Sequence, residues 1–195
     1  LLGYYYGGGA MSVYQMVNGQ PQKQSTFSEK GSAIMTAVFA TNKAHLVCYE
    51  HSSNSRRDSR LTLREATTGK LLQVVACPYS FLFHLAVIPN TTLAFGCSQN
   101  AILFWDYAEP KPVLNKIPNI DRTHFRALAV HPSGKIAATL GKERVVTFWD
   151  VENKRLKTQF EWSIGKLHCV GFSPDGMRCA AGSGRGQVMV WDVDE

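Results

Sequence analysis

The run Asp121-Arg122-Thr123-His124 places a carboxylate and an imidazole close together, the pairing that general acid–base chemistry requires. Catalysis would also need a nucleophile and orienting donors converging on that pair, and the sequence shows no such set. No G-x-S-x-G, H-E-x-x-H or Walker-type motif occurs. Gly182–Gly186 (GSGRG) resembles a phosphate-binding loop, but no helix follows to present its N-terminus. Between two alternating apolar segments it reads as a hairpin turn, and Gly7-Gly8-Gly9 takes the same reading. His45, His84 and His168 lie inside apolar strands, where a structural role is expected, and His131 precedes Pro132 in a turn. Cys48, Cys77, Cys97, Cys169 and Cys179 are odd in number and form no C-x-x-C pair. That pattern predicts free, mostly buried thiols in a reducing compartment rather than a disulfide framework or zinc site. The expectation is a protein that is not an enzyme and carries no cofactor or metal.

The remaining chemistry is charge. Lys and Arg number 21 against 15 Asp and Glu, an excess of +6 that permits an acidic partner without demanding one. No apolar run reaches the roughly 20 residues of a membrane helix. Leu1–Gly9 lacks the basic start and apolar core of a signal peptide. No membrane partner is expected. The chain does not begin with Met and reads as a fragment or a trimmed product.

The elements that carry these groups repeat. FRALAVHPSGKIAATLGKERVVTFWDV (Phe125–Val151) and LHCVGFSPDGMRCAAGSGRGQVMVWDV (Leu167–Val193) follow one plan: an alternating strand, a Pro-x-Gly turn, a small-residue strand, a polar turn, and a strand ending in Trp-Asp. Aligned on that ending, Trp105-Asp106, Trp149-Asp150 and Trp191-Asp192 share a slot with Arg64-Glu65 and Tyr14-Gln15 upstream, at spacings of 41 to 50 residues. The long spacing is assigned to the polar stretch His51–Ser59, read as a loop between two strands. In Val145–Asp150 both alternating sets are apolar, as expected where sheets pack face to face on both sides. No stretch carries a helical apolar stripe.

FSPDG (Phe172–Gly176), its near-match VHPSG (Val130–Gly134) and the three Trp-Asp endings resemble WD40 repeats, strongly from Ser80 onward and more weakly before it. The resemblance implies an all-β, WD40-type β-propeller of about five blade equivalents, the first and last incomplete, within a seven-bladed or larger propeller. The blades are placed at residues 1–30 (partial), 31–78, 79–120, 121–163 and 164–195 (partial), together one propeller segment. About 18 strands are expected against the roughly 28 of a seven-bladed ring, so further blades from the same chain or another subunit are expected to complete it. A WD40 blade commonly carries a polar tetrad of His, Asp, Ser or Thr, and Trp. Here the His slot holds Pro78, Asp121 and Ser163, and the turn-Asp slot holds Gln99, Glu143 and Arg185. Only the second blade keeps its Asp, Asp58, and that blade has lost its Trp. No complete tetrad is therefore expected.

In a propeller the d–a and b–c connections share one rim. The b–c turns bring Arg56, Arg57, Lys142, Arg144 and Arg185 there, and a d–a connection adds Arg122, against Asp58, Asp121 and Glu143. Glu109, Glu152 and Asp175 fall on the opposite rim. The basic rim is a candidate surface for an acidic peptide or a nucleic-acid backbone, although charged turns also serve simply to solvate a surface. Tyr79 and Trp162, beside d–a connections, are candidate partner anchors, Trp162 equally a cap on the disc edge. The function expected is a non-catalytic scaffold for protein–protein interaction in a larger intracellular assembly, cytoplasmic first and nuclear second. The alternative is a component of a ribonucleoprotein or other nucleic-acid-associated complex.

Overall fold

Strands follow one another along the chain without a helix in the computed structural model, which describes residues 2–4, 10–28, 30–52, 55–79, 82–98, 101–118 and 124–193. Five antiparallel sheets form in chain order. The first holds β1 (Leu2–Tyr4), β2 (Met11–Val17) and β3 (Gln20–Phe27). The second holds β4 (Ser32–Phe39), β5 (His45–Ser52), β6 (Ser55–Glu65) and β7 (Leu71–Cys77). The third holds β8 (Leu82–Val87), β9 (Leu93–Ser98), β10 (Ala101–Asp106) and β11 (Leu114–Pro118). The fourth holds β12 (Ala127–Val130), β13 (Ile136–Leu140), β14 (Val145–Asp150) and β15 (Arg155–Glu161). The fifth holds β16 (Leu167–Phe172), β17 (Arg178–Ser183) and β18 (Val188–Asp192).

Within each sheet every strand pairs with its sequence neighbour, the meander of a propeller blade. The first strands of the last four sheets line up side by side, β4 against β8, β8 against β12 and β12 against β16. Middle strands of the third and fourth sheets, such as β10 and β13, are almost wholly buried, whereas the outer strands β3, β7, β11 and β15 are largely exposed.

The core lies between sheets rather than inside one. Leu103 and Trp105 of β10 pack with Val47, Tyr49 and Leu61 of the second sheet. Ile102 and Phe104, from the opposite face of the same strand, pack with Phe125, Ala137 and Trp149 of the fourth. Phe148 and Leu140 in turn meet Leu167, Cys179 and Ala181 of the fifth. This two-sided packing is why both alternating sets of these strands are apolar, and each large side chain so buried contributes about 1.5–3 kcal/mol.

A bulge recurs where the last two strands of a sheet meet. The register shifts between Val13 and Tyr14, between Leu63 and Arg64, and between Phe148 and Trp149. In each case it falls immediately before the aligned slot, which ties the divergent first two sheets to the others.

One expectation is corrected. His51–Ser59 is not a loop: β5 runs on to Ser52 and β6 begins at Ser55, so the insertion lengthens the hairpin. The pairing passes from His51↔Ser59 to Ser52↔Ser55, which leaves Arg56, Arg57 and Asp58 in a bulge of β6. Backbone pairing does not depend on side-chain polarity, so a polar stretch extends the ladder as readily as an apolar one.

Candidate functional site

The connections after β13, β15 and β17 meet on one rim. Backbone hydrogen bonds lace them together: Trp162 N–H donates to the Arg144 carbonyl at 3.0 Å, Leu167 N–H to that of Glu143 at 2.6 Å, and Gly184 N–H to that of Lys166 at 3.1 Å. Between them opens a cleft of about 390 Å³ lined by Glu143, Arg144, Ser163, Gly165, Lys166, Gly184 and Arg185.

Two glycines shape this cleft. Gly165 has φ +94°, and a Cβ there would stand 3.1 Å from Arg185 Cδ, so the absent side chain leaves room for the Arg185 stem. A Cβ on Gly184 would stand 3.0 Å from His168 Nε2. Lys166 Nζ lies 3.0 Å from Glu143 Oε1, and this hydrogen bond and charge hold the Glu143 carboxyl below its ordinary range. Arg144 Nε reaches Glu161 Oε1 at 4.0 Å, with both side chains more than half exposed, a pair worth little in water. Arg185 has no ion-pair partner among the described residues.

Arg144 and Arg185, expected from the register, are thus brought together with Lys166, which the sequence reading did not select. Lys142 lies exposed in the same turn as Arg144. Arg56 and Arg57 sit on β6 with side chains outside the described residues, and Arg122 lies wholly outside them, as does Asp121 of the acid–imidazole run. Tyr79 is half-buried against the core between the second and third sheets, with Lys116 Nζ 6.0 Å from its ring centroid. Its carbonyl accepts a hydrogen bond from Tyr49 Oη at 3.2 Å. Trp162 stacks on Phe160 with centroids 6.3 Å apart and meets Trp191 at 5.1 Å. It therefore packs at the seam between the last two sheets.

The aligned Trp slot behaves differently in each sheet. Trp149 Nε1 donates to Thr139 Oγ1 at 2.8 Å. The register position of Thr139 is Gly96 in the third sheet and Ala181 in the fifth, and the buried Trp105 and Trp191 indole nitrogens have no acceptor among the described residues. In the second sheet the slot holds Arg64, buried and directed at the fully buried Glu50 of β5. Glu50 accepts from Arg64 Nε at 2.6 Å, Thr62 Oγ1 at 2.6 Å and Arg60 Nη2 at 2.8 Å. Burial alone would push the Glu50 carboxyl up, but these donors and the Arg64 charge outweigh it and hold the group below its ordinary range. An ionic cluster thus occupies the place that Trp fills elsewhere. Arg60 also lines a second cavity of about 610 Å³ on the same rim, with Lys30, Ser32 and Asp58.

Two imidazoles, His131 and His84, are built into the packing. His131 is buried, its Nε2–H donates to the Gly176 carbonyl at 2.8 Å, and Nδ1 accepts from Ser133 N–H at 3.1 Å. It stitches the fourth sheet to the fifth. Burial pushes the His84 imidazole down, partly opposed by hydrogen bonds to the Phe125 and Arg126 backbone. All five cysteines are free, and Cys169 alone is exposed. Burial raises the Cys48 and Cys179 thiols to about 12, which leaves them un-ionised at neutral pH. Among the described residues no group of three or more His, Cys, Asp or Glu could hold a metal ion, and no helix is long and apolar enough to cross a membrane.

Comparison with known proteins agrees with this geometry. The family model "WD domain, G-beta repeat" matches residues 155–192, from the start of β15 to the end of β18. The sequence repeat therefore straddles two sheets. Over 117 residues the chain is 29% identical to Protein groucho of Drosophila melanogaster, a match covering 60% of this chain and 16% of groucho. The fold is similar to the Myceliophteria thermophila Cps50 (Swd1) β-propeller domain, with TM-score 0.71 and 14% identity over 84% of this chain and 52% of that one. It is also similar to Kuenenia stuttgartiensis hydrazine synthase, with TM-score 0.75 and 14% identity over 94% of this chain and 65% of that one. At such identity these two structures speak to fold alone. The recurrent sheets, the Trp-Asp endings and the matched repeat together give the chain the fold of a WD40-type β-propeller, with residues 155–192 matching the WD repeat.

Proposed function

We propose that residues 1–195 act as one propeller segment serving as a non-catalytic scaffold for protein–protein interaction in a larger intracellular assembly. The observation that carries this reading is the cleft between the fourth and fifth sheets. Three cations converge there on one open rim, and the backbone that holds them is fixed by hydrogen bonds between its connections, one of them, Leu167 N–H to the Glu143 carbonyl, crossing from the fifth sheet to the fourth. Preorganised Arg and Lys groups of this kind suit an acidic segment of a protein partner. The free thiols fit a reducing compartment. Contact with the phosphates of a nucleic acid is the second reading, favoured by the same Arg144 and Arg185.

The test is capture of partners by the full-length protein from cells, quantified for the unaltered protein, for Arg144→Glu/Arg185→Glu on the cleft rim, and for Glu109→Lys/Glu152→Lys on the opposite rim. Selective loss with the first pair supports the scaffold reading. Undiminished capture with the first pair overturns it. Capture that vanishes on nuclease treatment and falls steeply with salt would favour the nucleic-acid reading.

A further inference from the structure

We infer that the cleft between the fourth and fifth sheets recognises a phosphomonoester dianion carried on a side chain of the partner protein. The inference rests on the reading that this rim faces the partner, and it names what the rim reads there.

Charge sets the valence. Arg144, Lys166 and Arg185 face the cleft with a single carboxylate, Glu143, which Lys166 already engages at 3.0 Å. Two positive charges are left over. A carboxylate ligand would leave one of them unmatched, whereas a phosphomonoester carries about −1.5 to −2 at neutral pH. The two guanidinium groups supply planar forks suited to phosphate oxygens; Arg185 has no ion-pair partner among the described residues, and Arg144 has only the exposed 4.0 Å contact to Glu161, worth little in water. Shape agrees with charge. At about 390 Å³ the cleft falls within the range of small-ligand sites and suits one charged group with the stem that bears it. The Ser163 hydroxyl lies on the wall, and Gly165 and Gly184 contribute backbone without side chains to block approach. A nucleic-acid backbone needs a track of cations, and none is continuous on this rim among the described residues. At the second sheet Arg60 is committed to Glu50, and Asp58 lies beside it.

The test is titration of the protein with a capped Gly-Gly-phosphoserine-Gly-Gly peptide, its unphosphorylated and glutamate counterparts, and a single-stranded oligothymidylate. The Gly165 and Gly184 amide signals are followed by NMR. The inference expects shifts of those signals with the phosphopeptide, none with the unphosphorylated peptide and weaker binding of the glutamate peptide. Between pH 7.5 and pH 5.0 the affinity should fall about tenfold, following the loss of dianion for a second pKa of about 6. Arg185→Gln and Arg144→Gln should each weaken binding about tenfold or more, as expected for a lost charge-assisted hydrogen-bond pair, with the Gly134 signal unmoved as a control for folding. Absence of phosphopeptide binding, equal binding of the glutamate peptide, survival of binding in the double variant, or tighter binding of the oligothymidylate at the same amides would each overturn it. If the phosphopeptide does not bind but Arg144→Glu/Arg185→Glu still releases captured partners, this inference falls and the scaffold reading stands.

Discussion

Trp149 donates its indole N–H to Thr139, whereas Trp105 and Trp191 sit in equivalent slots with buried nitrogens and no acceptor among the described residues. The difference lies in one position of the neighbouring strand, where the third and fifth sheets carry Gly96 and Ala181. Thr139→Val keeps the shape and removes the acceptor, so it should lower stability by about 1–3 kcal/mol, read as the shift in a urea midpoint. Ala181→Ser should do the reverse, raising stability by about 0.5–1.5 kcal/mol through a new hydrogen bond to Trp191. Gly96→Ser is expected to gain less, because its Cβ would press on Leu82 Cδ1 at 3.0 Å. At this scale the sequence was legible where register alone decides. It placed Arg64 in the Trp slot and showed that no full tetrad could form. It did not show that Glu50 partners Arg64, because the two lie on different strands and only the β5–β6 pairing brings them together.

Between elements, polar groups rather than added area fix the packing in two places, one within the second sheet and one between the fourth and fifth. The Glu50–Arg64–Arg60–Thr62 cluster is one. Glu50→Ala should cost about 3–5 kcal/mol, because it leaves Arg64 buried without its acid. Replacing Glu50 and Arg64 together with Met and Leu should cost clearly less than the single change, a coupling measurable in a double-mutant cycle. The pH sign follows from the lowered Glu50 carboxyl. Its contribution is present above the unfolded carboxylate value of about 4.3 and is lost as pH falls through the lower folded value, and Glu50→Gln should flatten that loss in acid denaturation. His131 is the other place. Gly176 has φ +78°, and a Cβ there would collide with the His131 ring. Gly176→Ala should therefore loosen the seam between the last two sheets, seen as faster amide exchange in β16 without loss of the first four sheets. The strand Val145–Asp150 was legible with the limits of β14, because turn residues bracket its apolar run. The hairpin extension at Ser52–Ser55 was missed for the complementary reason, since polar residues in a ladder carry no alternation signal.

For the molecule as a whole, the b–c and d–a connections form a rim whose cleft holds three cations and one acid, while on the opposite rim the second and third sheets meet through neutral contacts. There, Tyr107 Oη lies 3.1 Å from the Thr91 carbonyl and Thr41 Oγ1 lies 2.5 Å from it. Half of the cleft was legible in advance: Arg144 and Arg185 follow from the b–c register. Lys166 was not, because it sits beside the first residue of β16, and Ser163 was placed only as a departure from the tetrad. Salt should separate the two readings of the rim. Raising it from 50 to 200 mM should weaken binding of a protein partner modestly, whereas contact with 6–10 nucleic-acid phosphates would lose about 10³–10⁵ in affinity. The most direct measurement is the hydrogen-exchange footprint of a captured partner on the full-length protein. The scaffold account predicts slowed exchange at residues 142–145, 163–167 and 183–187, with residues 41–43, 90–92 and 107–108 unchanged. Protection confined to the latter group, or to neither rim, would contradict it.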